Sequence, residues 1–323
     1  MPRAIRIHET GGPEVLRLED VPVGAPGAGE VRLRHTAIAV NFVDTYHRTG
    51  LYPLKLPVVI GVEAAGVVEA VGPGVQGLSP GDRVVYLTGS GAYAEVRLAP
   101  ADRCIRLPDG VSDLTAAATF MKGLTVDALV RRTHPVKAGE AVLVHAAAGG
   151  VGLLMVPWLK SLGATVIGTA GSDEKAAIAR AAGCDHVIVY SREPFAPKVR
   201  ELTGGEGVPV VYDGVGKATF EGSLDSLAPF GLLVAYGNAS GPVPPFDLRT
   251  LAAKGSLYVT RPTVFGYVAK RPDLERGAKE LFDRLLDGRV KVAAPRTWPM
   301  AEVAAAHRAL EARATTGSVV LVP

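Results

Sequence analysis

The sequence predicts an α/β protein made of a compact β-rich domain and a doubly wound parallel sheet. Three observations carry that prediction. Short β-type runs broken by Gly/Pro turns fill the first third, all-apolar strands alternate with helical runs from Glu140 onward, and a glycine-bearing strand–helix turn opens the second pattern. A chain of 323 residues suits two domains better than one. With 48% hydrophobic and 21% charged residues, it has the balance of a soluble globular protein. Its 35 basic and 32 acidic residues are dispersed and leave a formal charge of +3, which argues against charge-driven binding of nucleic acid or membrane.

In the β-rich part, AIRIHE, EVRLRHTAIAV, VVIGVEAAGVVEAVG, DRVVYL and AYAEVRLAP read as strands between GGP, GPG and PGD turns. The rhythm changes near Ser112, where SDLTAAATFMKGLTVDALVRR sets apolar residues at helical spacing behind a Ser N-cap. AVLVH then reads as a buried strand, VGLLMVPWLKSLG as a helix, TVIGTA as a strand and DEKAAIARAAG as a helix. HVIVY, a helix around PFAPKVRELTG, VPVVYDG, LLVAYGN and SLYVT continue the alternation, the pattern of a parallel sheet covered on both faces. RGAKELFDRLLDG and MAEVAAAHRALEARA read as late helices, and SVVLVP as a closing strand. Pro157, inside a predicted helix, is expected to kink it or cost about 3 kcal/mol. MPRAIRIHETGGPEV is no apolar leader, and no run approaches about 18 apolar residues. Cys104 and Cys184 are too few for a cysteine zinc site, and nothing favours a disulfide between them. A soluble, cytoplasmic protein is expected.

Within AVLVHAAAGGVGLLMV, Ala147, Gly149 and Gly152 fit A-x-G-x-x-G, a dinucleotide fingerprint with Ala in first place. Gly149 lets the backbone approach a pyrophosphate, and Gly152 permits close helix–strand packing. The helix N-terminus, with Gly150 and Val151, turns its unpaired amides to the phosphates. This is the Rossmann arrangement. A site selective for NAD places a carboxylate at the end of the second strand to bind the ribose 2′-hydroxyl. Here that tip is Ala170-Gly171-Ser172, with Lys175 one helical turn on. A hydroxyl and an ammonium suit a 2′-phosphate, so the cofactor predicted is NADPH. Asp173 is read as opening the next helix, where its charge favours the dipole.

HETGGPEVL, NFVDTYHRTGLYP, GVEAAGVVEAVG, GDRVVY, MKGLTVDALVRRT, HAAAGGVG, VVYDGVG, KGSLYVTRP and ARATTGSVVL resemble the bacterial NADPH:quinone oxidoreductases and their zeta-crystallin relatives. They stand in family order over nearly the whole chain. The resemblance implies a GroES-like catalytic domain over 1–122, a Rossmann NADPH domain over 123–265, and a C-terminal return to the catalytic domain over 266–323. It places the chain in the zinc-free branch of the medium-chain dehydrogenases/reductases. Relatives that bind zinc carry a cysteine at the place of Asn41 and Gly-His-Glu where this sequence reads Gly61-Val62-Glu63. Asn and Val cannot replace thiolate and imidazole as ligands, so no metal is expected. Glu63 is read as a structural carboxylate, and His47 as a surface or pocket-wall residue.

Without a Lewis acid the acceptor must itself be electrophilic, as quinones and activated enones are. By resemblance, Asn41, Asp44, Tyr46 and Tyr52 line the catalytic cleft, with Asn41 also touching the cofactor. Asn41, Tyr46 and Tyr52 are candidate donors to the acceptor oxygen, and Asp44 is a group that orients its neighbours. Thr125, Tyr190, Gly214, Asn238 and Ser240 resemble further cofactor contacts. So do Phe265, Gly266 and, from the returning segment, Arg313; Arg261 is a weaker cleft candidate. The strand within 255–260 is expected to end the nucleotide sheet and pair with a second copy as a homodimer. Alternatives are a reductase of enals, enones or enoyl thioesters, and a non-catalytic RNA-binding or crystallin-like protein. The intact turn and near-neutral charge argue against the last two.

Overall fold

A computed structural model describes residues 1–323. The chain forms two compact units, one of Met1–Met121, Lys270–Leu286 and Ala293–Pro323, the other of Lys122–Ala269 and Asp287–Val292. The return falls at Lys270, four residues beyond the boundary expected at 266. The short helix Val264–Tyr267 stays with the second unit because Tyr267 is held there. Its carbonyl accepts from Arg132 Nη1 at 2.7 Å and its hydroxyl lies 2.8 Å from Thr133 Oγ1.

The first unit is built on the strand Glu30–Val40, which pairs antiparallel with Glu63–Val71, Val96–Pro100 and Val319–Val322 in a seven-stranded sheet. Val31 and Leu33 alternate inward there, as a half-buried strand requires, and from Ala37 to Val40 the strand is buried on both faces. Ile5, Ile7, Leu33, Ile38, Ile60, Val84 and Leu321 form one core with Met300 and Val303 from the returning segment. The strands Arg17–Asp20, Cys104–Arg106 and Arg296–Pro299 are short additions absent from the sequence pattern.

The second unit holds an all-parallel six-stranded sheet. In spatial order it runs His186–Val189, Thr165–Ala170, Ala141–Val144, Val208–Asp213, Leu227–Ala235, Tyr258–Thr260. Numbered by sequence within the unit this is 3-2-1-4-5-6, the Rossmann order, whose direction reverses between Ala141–Val144 and Val208–Asp213. Ligands bind outside the carboxyl ends of the strands at such a reversal. Pro157 is accommodated as the sixth residue of the helix Gly152–Ser161, which stays helical through Ser161. Burial of Leu154, Met155, Val156, Trp158 and Leu159 on one short helix outweighs the lost bond. No helix is long and apolar enough to cross a membrane.

Candidate functional site

In the first unit the chain leaves Glu30–Val40 at Asn41 and turns at once into the helix Phe42–Thr49. The signal for this helix is local. Asn41 is extended (φ −125°, ψ 159°), Asp44 sits at the third helical position, and Gly50 closes the helix in the left-handed region at φ 81°. The Asn41 amide donates to Asp44 Oδ2 at 2.7 Å, and the Asp44 amide donates to the Asn41 carbonyl at 3.0 Å.

The Asn41 side chain is fixed as well. Its Nδ2 donates to Glu63 Oε1 at 2.8 Å, while the other Glu63 oxygen accepts from the Met121 amide at 2.6 Å. Glu63, wholly buried, thus serves as the structural carboxylate that the sequence suggested. One Nδ2 hydrogen remains for a ligand, and so does a lone pair of Oδ1, which also faces the Asp44 amide in the capping box. Tyr46 and Tyr52 are half-buried and meet edge to face with centroids 5.2 Å apart, the Tyr52 amide donating to the Tyr46 carbonyl at 3.1 Å. His47 lies beside Tyr52 at 6.4 Å, and burial lowers its pKa.

Asp44 does not line the cleft as the resemblance implied, although its bonds agree with the orienting part expected of it. With no accessible surface it cannot touch an acceptor, and as well as the Asn41 amide it accepts from the Tyr93 hydroxyl at 3.0 Å. It positions Asn41 and is not a catalytic group. Tyr93 lies in turn 3.0 Å from His307 Nε2, and His307 Nδ1 lies 3.2 Å from Arg48 Nη1. Arg48 then pairs with both Glu311 oxygens, at 3.0 and 2.6 Å. An arginine only donates, so His307 Nδ1 is an acceptor and its proton sits on Nε2, facing Tyr93. Burial, seconded by Arg48, holds the His307 pKa at about 3. Room for Tyr93 comes from Gly61 (φ 92°), where a Cβ would lie 2.2 Å from the Tyr93 ring. Tyr93, His307, Arg48 and Glu311 escaped the sequence reading. Arg313 follows the helix Val303–Glu311 at φ 55° and is exposed.

In the second unit the turn between Ala141–Val144 and Gly152–Ser161 has the dinucleotide-binding form. A Cβ at Gly152 would lie 2.5 and 2.6 Å from the carbonyls of Ala147 and Ala146, so only glycine fits. The Leu153 amide makes the first bond back, to Gly149 at 2.9 Å, leaving Gly150, Val151 and Gly152 ahead of the helical ladder. At the tip of the second strand Ser172 caps the helix Asp173–Ala181, its Oγ accepting from the Lys175 amide at 3.3 Å. The Tyr190 hydroxyl closes on Gly171, where a Cβ would lie 2.6 Å away. Asp173 is ion-paired with Arg192, a cation the sequence reading missed. The nearby carboxylate is therefore matched by an arginine.

Gly214, Asn238 and Ser240 interlock. Ser240 Oγ donates to the Val215 carbonyl at 2.8 Å and accepts from the Ala218 amide at 2.9 Å, so its hydrogen is committed to the loop. The Asn238 amide donates to the Gly237 carbonyl and accepts from Arg261 Nη2. Arg261 also binds the Ala235 and Gly237 carbonyls at 2.8 and 2.9 Å, which makes it a brace for this loop. Thr125 lies in the helix Asp113–Asp127, and Phe265 and Gly266 in Val264–Tyr267.

No group of three His, Cys, Asp or Glu side chains converges to hold a metal ion. At the place of the zinc ligands stand an amide bonded to Glu63 and the buried, apolar Val62, a donor set that does not fit zinc. Cys104 and Cys184 are both free, and burial raises both thiols to about 12.

Comparison with known proteins agrees with this geometry. Residues 27–109 match the alcohol dehydrogenase GroES-like domain family, and residues 150–282 match the zinc-binding dehydrogenase family, the latter without the residues for a zinc site here. A quinone oxidoreductase of Pseudomonas aeruginosa is 49% identical, covering 100% of both chains. A 2-haloacrylate reductase of a Burkholderia species is also 49% identical, over 100% of this chain and 99% of that one. The crystal structure of Escherichia coli quinone oxidoreductase complexed with NADPH superposes with a TM-score of 0.98 at 46% identity, covering 99% of this chain and 100% of that one.

Proposed function

The chain belongs to the quinone oxidoreductase family, and from that premise we propose that it is an NADPH:quinone oxidoreductase working without zinc. The observation that carries this reading is Asn41, an amide anchored on Glu63 where a metal-dependent relative needs a thiolate. When bound, NADPH supplies a hydride from its nicotinamide ring. Gly150, Val151 and Gly152 present amides to the pyrophosphate. Ser172 and Lys175 face the 2′-phosphate as hydroxyl and cation, and Arg192 offsets Asp173 beside them.

The remaining N–H and Oδ1 of Asn41 complement a carboxamide, which suits a nicotinamide. The rings of Tyr46 and Tyr52 bound a flat acceptor, and their hydroxyls stabilise charge developing on its oxygen. Thr125, Tyr190, Gly214, Phe265, Gly266 and Arg313 complete the cofactor contacts in this reading, with Asn238 and Ser240 shaping the loop they share with Gly214.

Two further parts belong to the proposal. The edge strand Tyr258–Thr260, with Tyr258 61% exposed and Phe230 on the neighbouring strand 71% exposed, pairs with its copy in an isologous homodimer. A cytoplasmic location is supported by two buried, unpaired thiols. Sedimentation at micromolar concentration checks the dimer; a lone 33.6 kDa species would remove it.

The similarity to 2-haloacrylate reductase favours a second acceptor class, activated C=C bonds. A screen of NADPH oxidation over benzoquinones and over acrylates and enones separates them. The proposal expects turnover of quinones; turnover of C=C acceptors alone would transfer the assignment to the second class.

A further inference from the structure

His145, the residue just before the phosphate turn, is fully buried at the carboxyl end of Ala141–Val144. Its Nε2 lies 3.0 Å from Ser223 Oγ and its Nδ1 lies 2.9 Å from Thr169 Oγ1. Ser223 Oγ donates onward to Asp213 Oδ2 at 3.1 Å, and Thr219 Oγ1 donates to the same oxygen at 2.7 Å. Asp213 Oδ1 accepts the amides of Val215 and Gly216 at 2.7 and 3.0 Å, which shapes the loop carrying Gly214.

The donors fix the protonation. The Ser223 hydroxyl hydrogen is committed to Asp213, so Ser223 accepts from His145, and His145 carries its proton on Nε2. Its bare Nδ1 then accepts the Thr169 hydroxyl. Phe195 covers the ring edge-on at 4.8 Å, and burial lowers the His145 pKa, which keeps the ring neutral.

We propose that His145 is a positioning residue for cofactor binding. It ties the phosphate turn, the second strand and the Asp213 loop together at the sheet reversal. None of its own atoms need touch the dinucleotide. The turn it anchors holds Ala146 at φ 51°, a left-handed conformation that a non-glycine residue keeps only when its surroundings enforce it. The proposal rests on the NADPH-binding half of the proposed function, and its test is read on binding, so it stands or falls whether or not quinones prove to be the acceptor.

NADPH affinity is measured by fluorescence for the full chain and for His145→Gln, His145→Leu and Ser223→Ala. Gln keeps a donor within reach of Ser223, whereas Leu keeps only bulk. His145→Leu is expected to weaken NADPH about tenfold, Ser223→Ala about three- to fivefold, and His145→Gln less than threefold. The acceptor KM at saturating NADPH stays unchanged throughout. Equal loss in the Gln and Leu variants, or a lowered Tm with unchanged NADPH affinity, would reduce His145 to a packing residue and overturn the proposal. If His145→Leu does not fold, Ser223→Ala and nitrogen NMR of the wild-type imidazole decide. An Nε2–H tautomer supports the chain described, and an Nδ1–H tautomer contradicts it.

Discussion

In the first unit His307, Tyr93 and Asp44 form a buried chain that ends on the amide of Asn41; in the second, His145, Ser223 and Asp213 form one that ends on the amides of Val215 and Gly216. Each is histidine to hydroxyl to carboxylate to loop backbone. The two differ at the far nitrogen. His307 Nδ1 faces Arg48, which can only donate, whereas His145 Nδ1 faces Thr169, whose hydroxyl can donate or accept. Protonating His307 therefore forces it off its partner. Protonating His145 requires only that one hydroxyl rotate. At His307 the Arg48 charge adds to burial in keeping the ring neutral, whereas at His145 burial is opposed by the charge of Asp213.

The largest effect expected from this contrast is on stability against acid. His35 and His307 both have folded pKa values near 3, against 6.5 when unfolded, because burial disfavours the cation. The unfolded chain takes up protons below pH 6.5 that the folded chain refuses. Stability is thus complete above pH 6.5 and falls as pH drops toward 3, by about 1.4 kcal/mol per pH unit for each histidine. Urea unfolding at stepped pH measures this, and His307→Gln should remove one histidine's share of the slope. An unchanged slope would break the claim that His307 is held neutral.

Arg48→Met comes next. It strips His307 of its donor and Glu311 of its pair, and should cost about 3 kcal/mol in urea unfolding. Glu311→Gln should cost less, because that carboxylate is already 35% exposed. Tyr93→Phe interrupts the chain with little change in packing, and about 2 kcal/mol of stability should go. Its kcat should fall and its NADPH affinity weaken; both unaltered would mean that Asn41 needs no support from Asp44.

The smallest effect concerns cofactor choice. Lys175→Glu should raise the KM for NADPH about tenfold, with little change for NADH. Equal effects on both cofactors would remove Lys175 from the 2′-phosphate site.

Much of the second unit was legible because its determinants are contiguous. The strand, turn and helix around Gly149 and Gly152 lie within one short run, and apolar strands at regular spacing give the sheet away. The helix Phe42–Thr49 was less visible, since it is eight residues long and carries β-branched Val43 and Thr45; its caps, Asn41 and Gly50, were the available signal. The supporting chains lay beyond local reading. Tyr93 is 49 residues from Asp44 and 214 from His307, and Glu311 is 263 from Arg48. Nothing in periodicity joins such positions. The resemblance puts Asp44 along the cleft with Asn41 and Tyr46, but helical geometry turns it inward, which leaves it only the orienting part.

In the proposed reaction reducing equivalents reach the acceptor with an amide, not a metal ion, at position 41. The direct measurement is benzoquinone-dependent NADPH oxidation by protein treated with a strong chelator and dialysed, with zinc content determined alongside. Full turnover with no zinc bound is the expected result. Activity lost on chelation and restored by zinc would contradict it.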